Sequence, residues 1–225
     1  MPTRTATDRA LIRSRFLAVD VANVADVLDD LGHRHQALAT DVTCVAGRER
    51  LAGWAFTISG AMSDTPGRDP LKAQACTQIG PDEVSVWQGN GSGVCYFGEL
   101  VAIGMMQRGS PGAVLDGGVR DRKWLHELGF TTFSRYPAAV QTSGRWRVDA
   151  WQQPVTLPGA SGQPVVIEPG DFVLGDDDGV IVIPAGIVDV VLEAAETMTD
   201  KEIDLRAALR DGMTLADAMT EFGRI

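Results

Sequence analysis

The chain has 225 residues, 44% of them apolar, and a formal charge of -10 at pH 7. That length suits one well-buried α/β domain, and the acidic balance speaks against a nucleic-acid partner, because such affinity rests on phosphate neutralisation by Lys and Arg. No segment approaches the roughly 18 consecutive apolar residues of a membrane span. The opening Met-Pro-Thr-Arg-Thr-Ala-Thr-Asp lacks the apolar stretch of a signal peptide, so a cytoplasmic protein with no membrane partner is expected. Cys44, Cys76 and Cys95 form an odd set without CxxC spacing and read as core thiols rather than a disulfide framework or a zinc site.

In chain order, 8–19 is expected to be a short helix with Leu11, Ile12 and Phe16 inward, part of an N-terminal helical extension over 1–19. A second helix follows from Val21, Val24, Val27, Leu28 and Leu31 at helical spacing, with Asp20 as N-cap and Gly32 as the C-terminal glycine. His33 and His35 fall in its polar exit loop, where no third ligand accompanies them. Strands are expected at 42–45 and 52–58 around a charged turn. A loop over 63–70, a short helix over 71–78 and a strand at 84–87 come next. Gly89-Asn90-Gly91-Ser92-Gly93 lacks the Gly-Lys-Ser/Thr of a P-loop and reads as a flexible wall.

The run from Phe97 to Asp121 reads as a glycine-led helix over 99–108, a turn at 109–112, a buried strand at 113–115 and a glycine loop ending in Arg120-Asp121. A helix N-terminus carries free N–H groups and a partial positive charge, so the Gly98 turn is a candidate carboxylate seat. Ligands bind at the C-terminal edge of parallel sheets. Arg120 is therefore a candidate anion clamp and Asp121 a candidate metal ligand.

A helix over 122–128 closed by Gly129 and a strand over 130–133 then complete a β-α-β unit with a parallel pair. His126 lies about 140° round that helix from Asp121 and reads as a surface or packing residue. From 145 to 183 short alternating strands suggest an antiparallel meander. Asp176-Asp177-Asp178-Gly179 reads as a tight turn, since a calcium loop would need alternating oxygens and a later glutamate. The segment 186–225 is helical, with Ile187, Val190, Val191, Ala194, Met198, Ile203 and Leu205 expected on its apolar face and Glu193, Glu196 and Glu202 on the other.

Glu99, twenty intervening residues and Arg120-Asp121, framed by Gly98-Glu99-Leu100 and Asp116-Gly117-Gly118-Val119, with Pro169-Gly170-Asp171 and Asp176 to Val180 farther on, resemble the family of RraA-like proteins and 4-hydroxy-4-methyl-2-oxoglutarate aldolases. The resemblance runs from about Asp20 to Glu202. It implies one swivelling β/α/β domain over 1–225 with a mixed central sheet, a β-rich second layer and a C-terminal helix, assembled as a homotrimer or homohexamer. It also implies either a metal-dependent aldolase that decarboxylates oxaloacetate, or a non-catalytic regulator of an RNA-degrading enzyme. On the aldolase reading Asp121 holds Mg²⁺ or Mn²⁺, Glu99 reaches it through water, the N–H groups of Gly98, Glu99, Leu100 and Val101 seat the substrate carboxylate, and Arg120 stabilises the pyruvate enolate oxygen. Related aldolases draw one further carboxylate from a neighbouring subunit's C-terminal helix. Two positions depart from the pattern: Trp124 stands where aldolase members carry a second acid, and Glu99 where many carry aspartate. A Schiff-base mechanism would need a buried lysine. The chain has Lys72, Lys123 and Lys201, and Lys123, beside the motif, is expected to be exposed.

Overall fold

The computed structural model describes residues 4–90 and 93–223. Helix α1 (Ala6–Phe16) is fixed by a Thr5–Asp8 capping box and buries Ile12 and Phe16, one turn apart. Leu11, expected inward, is exposed because that stripe is only one residue wide. Helix α2 (Val21–Asp30) buries Val21, Val24, Val27 and Leu28. Asp20 stands at its N-cap but turns to Arg50, at 2.6 Å. The cap comes instead from Asp176, whose Oδ2 accepts from the Val21 amide at 2.9 Å. One carboxylate of the acidic run thus serves a helix 155 residues away in sequence.

The centre is a nine-stranded mixed sheet. Its strands enter as β1 (Thr43–Ala46), β2 (Leu51–Met62), β3 (Glu83–Gln88), β4 (Cys95–Phe97), β5 (Gly112–Val119) and β6 (Thr131–Pro137), with α3 (Pro70–Gln78), α4 (Glu99–Met106) and α5 (Arg122–Leu128) between them. Strands β2, β3, β5 and β6 are parallel neighbours, and β4 adds to β5 in parallel. The β5-α5-β6 unit is therefore as expected. Asp116-Gly117-Gly118-Val119 is not a loop, however, but the second half of β5, paired with β4 and β6. Glycine is weak in strands because it adds entropy and no packing; here it is required, since a Cβ on Gly117 would lie 1.8 Å from the Tyr96 ring.

The strands after 145 do not form one meander. Strand β7 (Trp146–Trp151) joins the far half of β2, and the hairpin of β10 (Phe172–Asp176) and β11 (Gly179–Ile183) joins its near half. Only β8 (Val155–Leu157) and β9 (Val165–Ile167) form a separate two-stranded sheet. Alternation along the central strands builds two cores. Val84, Val86 and Val114 face the β8–β9 layer, while Trp87, Ala113 and Leu115 face α3, α4 and α5. A third cluster packs α1, α2 and the long α6 (Val188–Arg210) against Trp54, Phe172 and Ile183. Helix α6 buries Val188, Val191, Leu192, Ala195 and Leu205. Val190, Ala194 and Ile203, expected inward, are exposed. Helix α7 (Leu215–Phe222), capped by Thr214, follows α6. No helix among the described residues is long and apolar enough to cross a membrane.

Candidate active site

The parallel β4–β5 ladder builds the site. Cys95 pairs with Gly118 and Phe97 with Val119, and the Arg120 amide donates to the Phe97 carbonyl at 3.1 Å. Both strands end at the same level, so Gly98, which starts α4, lies beside Arg120 and Asp121 although twenty residues separate the acid from the Arg-Asp pair in sequence. The approach is tight: a Cβ on Gly98 would stand 2.6 Å from Asp121 Oδ2 and 3.3 Å from Arg120 Cγ. Glycine here is a condition of the geometry, not of backbone dihedrals, because Gly98 is extended with φ -168°.

Asp121 occupies the left-handed region at φ 59°, sparsely populated for non-glycine residues and tolerated best by Asp and Asn. It stands at the N-cap of α5 but makes no side-chain cap there. Its Oδ2 instead faces α4, accepting from the Glu99 amide at 3.4 Å, and lies 3.6 Å from Arg120 Nε. The carboxylate seat expected at the α4 N-terminus is thus shared with the chain's own Asp121. Both side chains stay accessible, at 44% for Arg120 and 37% for Asp121.

These groups open on a cleft of about 120 Å³ lined by Gly98, Leu100, Val101, Arg120 and Asp121, the expected residues, together with Lys72, Cys95, Gln141 and Thr142. Glu99 enters through its backbone amide, and its side chain is not part of the cleft lining. Leu100 is 80% exposed. Among the described residues no group of three His, Cys, Asp or Glu side chains is placed to chelate a metal. His126 is exposed, His35 is bonded to Ser161, and the pair at 33 and 35 gains no third ligand. Gly91 and Ser92 of the glycine-rich wall lie outside the described residues. Trp124 is half-exposed with Lys123 Nζ 5.0 Å from its ring. Lys123 is exposed as expected and pairs with Glu127.

Lys72 is the residue the sequence reading left out of the site. It stands in the first turn of α3, which Asp69 caps and Pro70 begins. Its Nζ passes 5.6 Å from the Trp87 ring and 5.9 Å from the Trp146 ring to donate to the Tyr96 carbonyl of β4. Burial holds this amine below the usual lysine value. Burial also raises the thiols of Cys44 and Cys95, and pushes Cys76 up to about 11. All three are free cysteines kept as thiols, in line with packing roles.

Comparison with known proteins agrees with this architecture. The Aldolase/RraA model of the RraA-like family matches residues 21–182. A 4-hydroxy-4-methyl-2-oxoglutarate aldolase of Thermus thermophilus is 28% identical over 159 residues, covering 70% of this chain and 90% of that one. Among solved structures, an uncharacterised protein of Pseudomonas syringae superposes with a TM-score of 0.82 at 23% identity, over 98% of this chain and 96% of its own. Streptomyces coelicolor RraAS2, described as an unusual member of the RNase ES inhibitor RraA family, superposes at 0.73 and 23% identity, over 88% and 97%. The mixed sheet, the ladder that carries Arg120 and Asp121, and the match over 21–182 together establish that the chain belongs to the RraA-like family.

Proposed function

We propose that the protein is a divalent-metal-dependent lyase that cleaves a short 2-oxo dicarboxylate and releases pyruvate. The observation that carries this reading is the meeting of Arg120, Asp121 and the α4 N-terminus on one cleft. A guanidinium beside exposed backbone N–H groups suits an α-oxo carboxylate, because both present donors to adjacent oxygens. Asp121 offers a single hard carboxylate. Mg²⁺ retains several waters and needs only one or two such ligands, so the donor set fits Mg²⁺ or Mn²⁺ and lacks the nitrogen and sulfur ligands of a zinc cage. Such a cation, when bound, supplies Lewis-acid stabilisation of a developing enolate.

The chain's own groups do the rest. Arg120 holds the substrate carboxylate and neutralises the enolate oxygen as the C–C bond breaks. Glu99, in the first turn of α4 with its side chain outside the cleft lining, would serve proton transfer through an intervening water. Retro-aldol cleavage of 4-hydroxy-4-methyl-2-oxoglutarate and decarboxylation of oxaloacetate both pass through pyruvate enolate, so one site serves both. A further carboxylate from α6 of a neighbouring copy, in a homotrimer or homohexamer, would complete the shell. Glu196 is bonded to Arg15 and Glu202 to Arg206, so Glu193 is the candidate among the three glutamates, beside Asp200 and Asp204 of the same helix.

Pyruvate release from oxaloacetate and 4-hydroxy-4-methyl-2-oxoglutarate, with and without chelator, tests the reading. EDTA should abolish turnover and Mg²⁺ or Mn²⁺ restore it; full activity after exhaustive chelation refutes the metal requirement. A second reading, a non-catalytic partner-binding protein, is favoured by half-exposed Trp124 at the position of the expected second acid. Absence of turnover with any metal would select it.

A further inference from the structure

Lys72 presents a problem of charge. The amine is drawn into a partly apolar setting against the neighbouring Trp87 and Trp146 rings, yet it forms no ion pair among the described residues. The carboxylate that influences it, Asp69, has both oxygens engaged by the backbone amides of Lys72 and Val148, at 3.0 and 2.9 Å. Other half-buried cations of this chain meet carboxylates: Arg15 meets Glu196, Arg50 meets Asp20, and Arg135 meets both Asp41 and Asp116. Arg147 is also half-buried without an ion pair among the described residues, but the carbonyls of Thr65, Pro66 and Arg68 take up its guanidinium, whereas the Lys72 ammonium meets the Tyr96 carbonyl alone. Leaving a desolvated charge unpaired destabilises a fold.

Its position supplies the explanation. The Tyr96 carbonyl takes one of the three ammonium donors, which leaves two. Lys72 lines the cleft of Arg120 and Asp121 and also a larger cleft of about 440 Å³. The two share Lys72, Leu100, Val101, Gln141 and Thr142. Lys72 thus stands at their junction. We propose that Lys72 is the second anion-binding cation of the site and holds the substrate carboxylate remote from the reacting carbonyl, making the protein selective for 2-oxo acids with two acidic groups. This inference rests on the lyase reading for the word substrate, but the binding preference stands or falls on its own. The two adjacent aromatic rings attract the cation while offering no counter-charge, which leaves the ammonium free to pair with an incoming anion.

The test uses the full chain and the variants Lys72→Met and Lys72→Arg. In metal-free protein, tryptophan fluorescence should report tighter binding of malate than of lactate, which lacks the second carboxylate. Lys72→Met should erase that preference, and Lys72→Arg should retain most of it. With Mg²⁺ present, Lys72→Met should raise KM for oxaloacetate about tenfold or more, the scale of one lost charge-assisted hydrogen bond, with kcat changed less. Exchange of pyruvate methyl protons in D₂O needs no second carboxylate and should fall much less than oxaloacetate turnover does. Wild-type protein without a malate preference overturns the proposal whatever the variants do, as does a Lys72→Met protein that keeps it. Borohydride trapping of pyruvate on Lys72 would overturn it too, by showing a covalent role. If wild-type protein neither exchanges pyruvate nor turns over oxaloacetate, the lyase reading fails, and the malate preference still decides the role of Lys72.

Discussion

The face covered by α1, α2 and α6 and the edge where β4 and β5 end handle charge in opposite ways. On the first, Arg15 is held bidentately by Glu196 at 2.8 and 2.6 Å, and Arg50 joins Asp20 at 2.6 Å and Asp176 at 3.6 Å. Below these pairs lies a cluster centred on Phe172, which stacks on Phe16 at 4.4 Å and meets Trp54 edge-on at 5.0 Å. At the sheet edge, Arg120 and Asp121 approach only to 3.6 Å, Lys72 has no carboxylate partner among the described residues, and Asp121 adopts a left-handed backbone. The first region spends its residues on stability. The second keeps charges in reserve, and such unsatisfied, strained groups concentrate where a ligand completes them.

If that contrast is sound, substitutions in the two regions should separate stability from activity. The largest effect is expected from Phe172→Ala, which should lower stability by about 3–5 kcal/mol through cavity formation while leaving kcat of the folded fraction unchanged. Chemical denaturation alongside the oxaloacetate assay checks both; an equal loss of kcat would break the comparison. Next, Arg120→Lys keeps charge but loses the planar fork and should lower kcat about a hundredfold, as for one lost oxyanion donor, with little change in melting temperature. A raised KM with unchanged kcat would make Arg120 a ground-state binder.

Asp121→Asn sharpens the same point. Asparagine tolerates the left-handed backbone and can accept from the Glu99 amide, so stability should move by no more than about 0.5 kcal/mol. Manganese affinity and turnover should nevertheless collapse. Wild-type Mn²⁺ binding in this variant would reduce Asp121 to a structural cap.

The smallest effect belongs to the paired side. Arg15 bonding lowers the Glu196 pKa from its ordinary 4.5. A carboxylate depressed on folding stabilises above its unfolded pKa and loses that contribution as pH falls through the folded value. Glu196→Gln should therefore cost less than about 1 kcal/mol near neutrality, as exposed pairs do, and the difference from wild type should vanish below the depressed value. Melting curves across acidic pH measure it.

Legibility in the sequence followed the same division. Helical spacing located α2 and α5, and Gly129, at φ 66°, closes α5 as a C-terminal glycine should. The glycine-led helix start and the strand ending before Arg120-Asp121 pointed to Gly98, Arg120 and Asp121 as one site, and the acid-x20-Arg-Asp spacing carried the family resemblance. What stayed hidden depends on tertiary packing. Asp116 to Val119 reads as a loop because two adjacent glycines are weak strand formers; the Tyr96 ring against Gly117 and the Val94 carbonyl and Ala138 against Gly118 explain them. Strand β4, three residues long, is too short for a period-two pattern to register. Leu11, Val190 and Ile203 were placed inward because periodicity gives a stripe's direction and not its width. Lys72 carried no local signal, since its neighbours in the site are strand ends 24 and 48 residues downstream at Tyr96 and Arg120.

The amide of Arg120 belongs to the β4–β5 ladder through its bond to Phe97, while its guanidinium stands in solvent. Chemistry and cohesion are therefore soldered at one residue: the backbone that aims the guanidinium cannot loosen unless the parallel sheet itself parts. Hydrogen exchange at this amide should consequently report global rather than local opening, so that the site loses its aim only when the whole molecule melts.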